Sequence, residues 1–291
     1  MVSRLMRVVI WDVEHGACAM IQHVTQTPQR EVGGRLAMID SGSARDWTPS
    51  FYLRNRLRRT IVDYLFITNA DQDHMSDLKG LEDAGIGIRV LSRNPSYTGN
   101  QLRAIKILGG PLSQDAAWYA DACDTFDQPA TEPFDQYMNG ITVKCFWNSY
   151  PWFTDTNNLS QVVFVKYCGF CILFPGDLEK DGWRALLRRP DFQAELIGVN
   201  VLVASHHGRE NGFCPEVFDY CQPQCVVISD KPIEHQTQLM VPDYRDVIAG
   251  NGVIVRTTGK IRHVLTTRRD GTISFDVFDN GDFAIDTEYA A

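Results

Sequence analysis

Apolar residues in this chain fall in short runs rather than long ones. Residues 7–13, 36–39, 64–68, 162–167, 171–174, 199–204 and 225–229 are such runs, rich in β-branched and aliphatic side chains and closed by Gly, Asp, Asn or His. Runs of this kind predict strands with both faces buried. Between them, residues 49–60, 75–84, 178–187, 215–221 and 243–249 carry apolar positions three and four apart, the period of helices with one buried face. Strands alternating with helices, and polar residues gathered at strand ends, predict a layered α/β fold. Near the end, 252–256, 263–267 and 272–278 read as strands, with a hairpin closed at Asp270-Gly271. The segment 93–134, with helical stretches at 101–108 and 114–124, reads as an insertion in one domain covering 1–291. It is expected to select substrate or to cover a sheet edge.

Composition narrows the class. With 291 residues, 44% of them hydrophobic and 22% charged, and a net charge of −8, the chain has the profile of a globular protein without a general polyanion-binding surface. One local basic groove remains compatible with that balance. No apolar stretch approaches the roughly 20 residues of a membrane span, and the N-terminal residues run straight into a strand pattern. The expectation is a cytoplasmic protein with no membrane partner. The eight Cys are read as reduced thiols. Cys168 and Cys171 have C-x-x-C spacing, but on a strand they face opposite sides and cannot chelate one ion; Cys221 and Cys225 read as core thiols. Arg54, Arg56, Arg58 and Arg59 read as a solvated helix face, phosphate steering being the alternative.

The chemistry concentrates in Thr68-Asn69-Ala70-Asp71-Gln72-Asp73-His74, between a strand and a helix. Asn69, Asp71, Asp73 and His74 crowd four oxygen or imidazole donors into six residues, enough for one or two divalent cations from one loop. An Asp-rich helix cap is the plainer alternative. Two further strand ends weigh against it, because Phe174-Pro175-Gly176-Asp177 supplies a carboxylate and Ala204-Ser205-His206-His207-Gly208 supplies paired imidazoles.

The order of Asp12-Val13-Glu14-His15-Gly16, Ile39-Asp40-Ser41-Gly42, the heptad above, Asn157-Asn158-Leu159-Ser160, the FPGD segment and the SHHG segment resembles the metallo-β-lactamase superfamily. Within it, the chain most resembles the C-terminal hydrolase domain of the ComEC competence proteins. The resemblance implies a four-layer αββα sandwich with a metal centre at one edge. It implies that Asp73, His74, Asp177 and one of His206 and His207, with His207 favoured, hold one divalent ion, Zn or Mn. Asn69 and Asp71 would then belong to a second position bridged by Asp177. Asp73 would also orient the attacking water, and the non-ligating His of the pair would bind a substrate oxygen or protonate the leaving group. A divalent cation lowers the pKa of bound water to about 7, and two cations about 3.5–4 Å apart clamp a departing oxygen.

The chain departs from the family at Asn69, where the motif has His, at His15 and Ala17 in the opening loop, and in having no His between His74 and His206. Three readings follow: His15 replaces the missing imidazole, a single cation suffices, or the site is degenerate. Asp12 and Asp40 are expected to be pocket-wall acids that hydrogen-bond the metal loop. Asn157, Asn158 and Ser160 either brace the pocket or form a polar turn. His235 is a candidate substrate contact or an exposed loop residue; His23 and His263 read as packing or surface residues. The function expected is a metal-dependent hydrolase of phosphodiesterase or nuclease type, acting on a phosphoester or nucleic acid. The alternative is a degenerate subunit working with a protein partner in a defence or DNA-processing system.

Overall fold

The computed structural model describes residues 3–248 and 250–290. Ala249, the last residue of one expected helix, and the extreme termini lie outside the described residues. Fifteen strands are present among those described: Ser3–Ile10 (β1), Ala19–Gln26 (β2), Glu31–Ile39 (β3), Ile61–Phe66 (β4), Gly87–Ser92 (β5), Thr142–Trp147 (β6), Gln161–Tyr167 (β7), Phe170–Phe174 (β8), Val201–Val203 (β9), Cys225–Ile228 (β10), Val253–Ile254 (β11), Ile261–Arg262 (β12), Val264–Thr266 (β13), Ile273–Phe278 (β14) and Phe283–Thr287 (β15). One sheet runs β15-β14-β1-β2-β3-β4-β5, a second runs β13-β10-β9-β8-β7-β6, and β11 and β12 form a small ribbon.

The two large sheets face each other across one apolar layer, and the alternation along each strand shows it. In β7, Val163, Val165 and Tyr167 enter the layer between the sheets, whereas Val162 and Phe164 face outward. In β3, Ala37 and Ile39 point inward while Leu36 and Met38 face outward. Both outward faces are covered by helices. Leu78, Leu81, Leu102 and Tyr119 pack on the first sheet, and Trp183, Leu186, Phe192 and Leu196 on the second. Helix, sheet, sheet, helix is the four-layer αββα order that the resemblance implied. Among the described residues no helix is long and apolar enough to cross a membrane.

Several local expectations are corrected. The helix expected over 75–84 is two, Gln72–Met75 and Leu78–Asp83. Asp77 interrupts it, since its N–H donates to Ser41 and its carboxylate accepts from the Ser50 N–H at 2.6 Å. The helix expected over 49–60 is one turn, Pro49–Phe51, followed by a wider turn over Tyr52–Arg56. Asp270-Gly271 closes no hairpin: β13 pairs parallel to β10 in one sheet, and β14 pairs with β1 in the other. The buried Asp270 carboxylate binds the Arg262 guanidinium and the Thr266 N–H, turning the chain from sheet to sheet. The segment 93–134 contributes Tyr97, Leu102, Ala116, Tyr119 and Cys123 to the outer core, so it covers a sheet face rather than only an edge.

What positions the site is the mixture of pairings. β3, β4 and β5 are mutually parallel, as are β8, β9, β10 and β13. Their C-terminal ends gather the loops that follow, the place where open parallel sheets present ligand-binding groups.

Candidate metal centre

Asp40 follows β3, residues 68–74 follow β4, Asp177 follows β8, His206 and His207 follow β9, and Ser229 follows β10. These loops are fastened to one another through the backbone. Ala17 N–H donates to the Asp73 carbonyl at 3.2 Å, Ser41 N–H to the His74 carbonyl at 2.8 Å, and Gly42 N–H to the Ala17 carbonyl at 2.9 Å. The approach at Gly42 leaves no room for a side chain, since a Cβ there would stand 2.4 Å from the Asp73 carbonyl oxygen. After β9 the chain takes three successive left-handed residues, His206 (φ 51°), His207 (φ 54°) and Gly208 (φ 71°). Non-glycine residues hold that conformation only where the surroundings impose it, and here it turns both imidazoles toward the sheet edge.

Donor atoms of Asp73, His74, Asp177 and His207 converge, all within 4.8 Å of one another. His74 Nε2 stands 3.0 Å from Asp177 Oδ1, and His207 Nε2 stands 3.1 Å from Asp73 Oδ2 and 3.5 Å from Asp177 Oδ1. The far side of each imidazole is held. His74 Nδ1 donates to Asp40 Oδ2 at 2.9 Å, and His207 Nδ1 donates to the Ser229 carbonyl at 3.0 Å. Asp40 in turn accepts from the Thr68 N–H at 2.7 Å and the Thr68 hydroxyl at 2.5 Å. Fixing one ring nitrogen this way leaves Nε2 as the ligating atom, the usual arrangement around a metal-bound imidazole. Asp177 is steadied by its own N–H, which donates to Ser160 Oγ at 3.1 Å.

The electrostatics fit a cation. Burial pushes His74 down, but Asp177 and Asp40 on either side outweigh it and hold it well above the ordinary imidazole value. Burial alone would raise Asp73 and Asp177, yet the imidazoles around them hold both well below the usual carboxylate range. Asp73 and Asp177 bring two carboxylates, and His74 and His207 two imidazoles, to one sheet edge, a donor set that a divalent ion would accept. The donor set therefore fits the metal implied by the sequence resemblance.

The other residues singled out from sequence lie elsewhere. Asp71 is not brought into the cluster: its carboxylate pairs with Lys106 Nζ at 2.8 Å and accepts from the Thr156 hydroxyl. Asn69 also lies outside it, its amide donating to Asn157 and Ser160 while its oxygen accepts the Asp71 N–H. Asp12 does not bond the metal loop; it caps its own turn through the Glu14 N–H. Asn157, Asn158 and Ser160 brace the pocket, Asn158 through the Gly182 N–H. His206 has its Nε2 3.9 Å from Asp177 Oδ2 and its Nδ1 3.4 Å from Glu179 Oε1, beside the cluster rather than in it. His235 is exposed on its loop, and His23 packs edge-on against Tyr167.

His15 sits at the mouth. Its Nε2 is 3.4 Å from Asp73 Oδ2, its ring lies 4.6 Å from that of His207, and burial together with His207 and Arg209 pulls its pKa down to about 4. Sequence reasoning missed Arg209, whose guanidinium approaches His206 Nε2 at 3.4 Å and His15 Nε2 at 3.3 Å. Its position directly after the SHHG segment was the available signal. Lined by His74, Asp177 and His207 is a space of about 30 Å³, enough for ordered water. The side chains of His74, Asp177 and His207 are 1–5% exposed, against 22% for Asp73 and 31% for His15, so the cluster meets solvent on the Asp73 side.

No protein-family model and no curated protein matches the sequence. Among solved structures, the chain is similar to a Parabacteroides distasonis protein whose name describes it as a metal-dependent hydrolase, with 8% identity over 90% of this chain and 94% of that one and a TM-score of 0.44. It is also similar to CmlA, a diiron β-hydroxylase from Streptomyces venezuelae, with 13% identity over 84% of this chain and a TM-score of 0.42. A CmlA variant gives 13% identity over 93% of this chain and a TM-score of 0.43. The chain spans about half the length of CmlA, 51% and 53% in the two structures.

Proposed function

We propose that this chain is a metal-dependent hydrolase of phosphoesters, built on a single cation held by Asp73, His74, Asp177 and His207. The observation that carries the reading is the convergence of those four donors with both imidazoles held from behind by Asp40 and Ser229. A Zn or Mn ion bound there would supply an acidified water near neutral pH and charge for a developing oxyanion. Asp73, the ligand facing solvent, is placed to orient the attacking water. His206, whose Nε2 lies 3.9 Å from Asp177 Oδ2 beside the cluster, is the residue placed to contact a substrate oxygen. Asp71 engaged by Lys106 and Thr156, and Asn69 engaged by Asn157, favour one ion over two.

The test pairs elemental analysis of the Mn- or Zn-loaded chain with hydrolysis of a phosphodiester model substrate. About one ion per chain and activity lost in His74→Ala and Asp177→Ala is the expected result. Full activity in metal-stripped protein would overturn the reading. Metal uptake far below one per chain would instead favour a degenerate subunit acting through a protein partner.

A further inference from the structure

The half-buried Arg209 is the cation nearest the mouth of the cluster, and among the described residues no carboxylate oxygen lies within ion-pair distance of it. Arg7, Arg35, Arg256 and Arg262 each close on Asp or Glu within about 3 Å. Arg209 meets two imidazoles instead, at 3.4 and 3.3 Å, contacts long enough to be weak. A guanidinium has five N–H donors, and two loose contacts leave most of them unengaged. Both imidazoles accept from it through Nε2, and both Nδ1 atoms are buried without a hydrogen-bond partner. Glu179, the nearest acid to His206, is drawn aside by Asn157 at 3.0 Å and Asn211 at 2.7 Å.

We infer that Arg209 is the substrate anchor of this site, binding the oxygens of a phosphoryl group with its planar fork, which lies beside His15 and His206 at the mouth of the cluster. A guanidinium suits this task because it meets phosphate oxygens in pairs and stays charged throughout the physiological range. The surroundings also limit the size of the substrate. The groove of about 510 Å³ beyond Arg209 mixes Lys180 and Arg184 with Glu179, Asp181 and Glu210, and Arg184 is paired with Glu216. Among the described residues lining that groove, basic and acidic side chains are interspersed, and the chain as a whole carries −8. A polynucleotide gains most of its affinity from a run of phosphate contacts. The fit is to a small phosphoester presenting one phosphoryl group, and this assignment rests on the metal-dependent reading above.

Calorimetric titration with inorganic phosphate tests it, using the full chain in metal-free and Mn-loaded forms. Arg209→Gln should keep the parent's circular dichroism and metal content while weakening phosphate about ten- to a hundredfold, the loss of one charge-assisted pair. Arg209→Lys should fall between the two, and Arg184→Gln, in the adjoining groove, should bind phosphate as the parent does. Equal phosphate affinity in Arg209→Gln and parent overturns the anchor, as does an equal loss in Arg184→Gln. A single-stranded oligonucleotide bound by the parent far more tightly than phosphate overturns the substrate class. A chain that takes up no metal overturns the proposed function, and the metal-free comparison of parent with Arg209→Gln still decides the role of Arg209.

Discussion

His74 donates through Nδ1 to Asp40 across 2.9 Å, with both side chains 1% exposed. That one contact decides which nitrogen of the ring faces Asp177. Asp40→Asn preserves the shape but offers an amide in place of a charged acceptor, so it should weaken metal binding about 10–100-fold, the range for partners behind a metal ligand. Competition against a chromophoric chelator measures this; unchanged affinity would show that the His74 ring is set by packing alone.

The adjacent imidazoles should separate cleanly by metal content. His207 Nε2 lies among the donors, whereas His206 Nε2 is 3.9 Å from its nearest carboxylate oxygen. His207→Ala should lose most of its bound metal after dialysis and His206→Ala should keep it, both read by elemental analysis. The reverse pattern would exchange their roles.

Asp71→Asn should leave metal stoichiometry at the parental level. Its side chain is 35% exposed and tied to Lys106 and Thr156, so the loss is that of a surface pair, about 0–1 kcal/mol in urea unfolding. A drop in bound metal would place a second ion back in the site.

Gly42→Ala should be far more damaging than its chemistry implies. The new methyl would meet the Asp73 carbonyl oxygen at 2.4 Å and the Ala17 carbonyl oxygen at 2.6 Å, and both are backbone atoms that cannot swing aside. Forcing apart a packed contact typically costs about 1–3 kcal/mol. Denaturant titration should show a shifted midpoint with an unchanged slope.

One pH response lies away from the metal centre. Burial, with Arg4 adding repulsion, holds His23 below the ordinary value of 6.5. As pH falls below about 6.5 the unfolded chain takes up a proton that the folded chain refuses, so its contribution is full above that pH and is lost as pH falls toward the folded value. His23→Gln should therefore flatten the acid side of the stability profile relative to the parent, measured by urea midpoints between pH 7 and 5. Parallel profiles for the two would refute the assignment.

The strands legible from sequence were those buried on both faces. β7, β8 and β10 are continuous apolar runs and lie within a residue of expectation. β2, β5, β6, β12 and β15 were missed: Gln22 and His23, Arg89 and Lys144 interrupt the pattern in the first three, β12 is two residues long, and β15 lies at a sheet edge. Asp73, His74, Asp177 and His207 were legible because each follows a strand end with a donor side chain. Asp71 and Asn69 were drawn into the same list by spacing alone; what removes them from the cluster is Lys106 and Asn157, 35 and 88 residues away. Contacts at that separation leave no local trace, and neither does the gathering of Arg209 with His15 across 194 positions.

Two of the four donors come from the loop after β4 in one sheet, and the other two from the loops after β8 and β9 in the other. An ion held by all four would be a rivet through both halves of the sandwich, so occupancy and unfolding are linked quantities. At a free-metal concentration a thousandfold above Kd, that linkage is worth about 4 kcal/mol of global stability. The melting temperature would then also be a gauge of the metal supply around the protein.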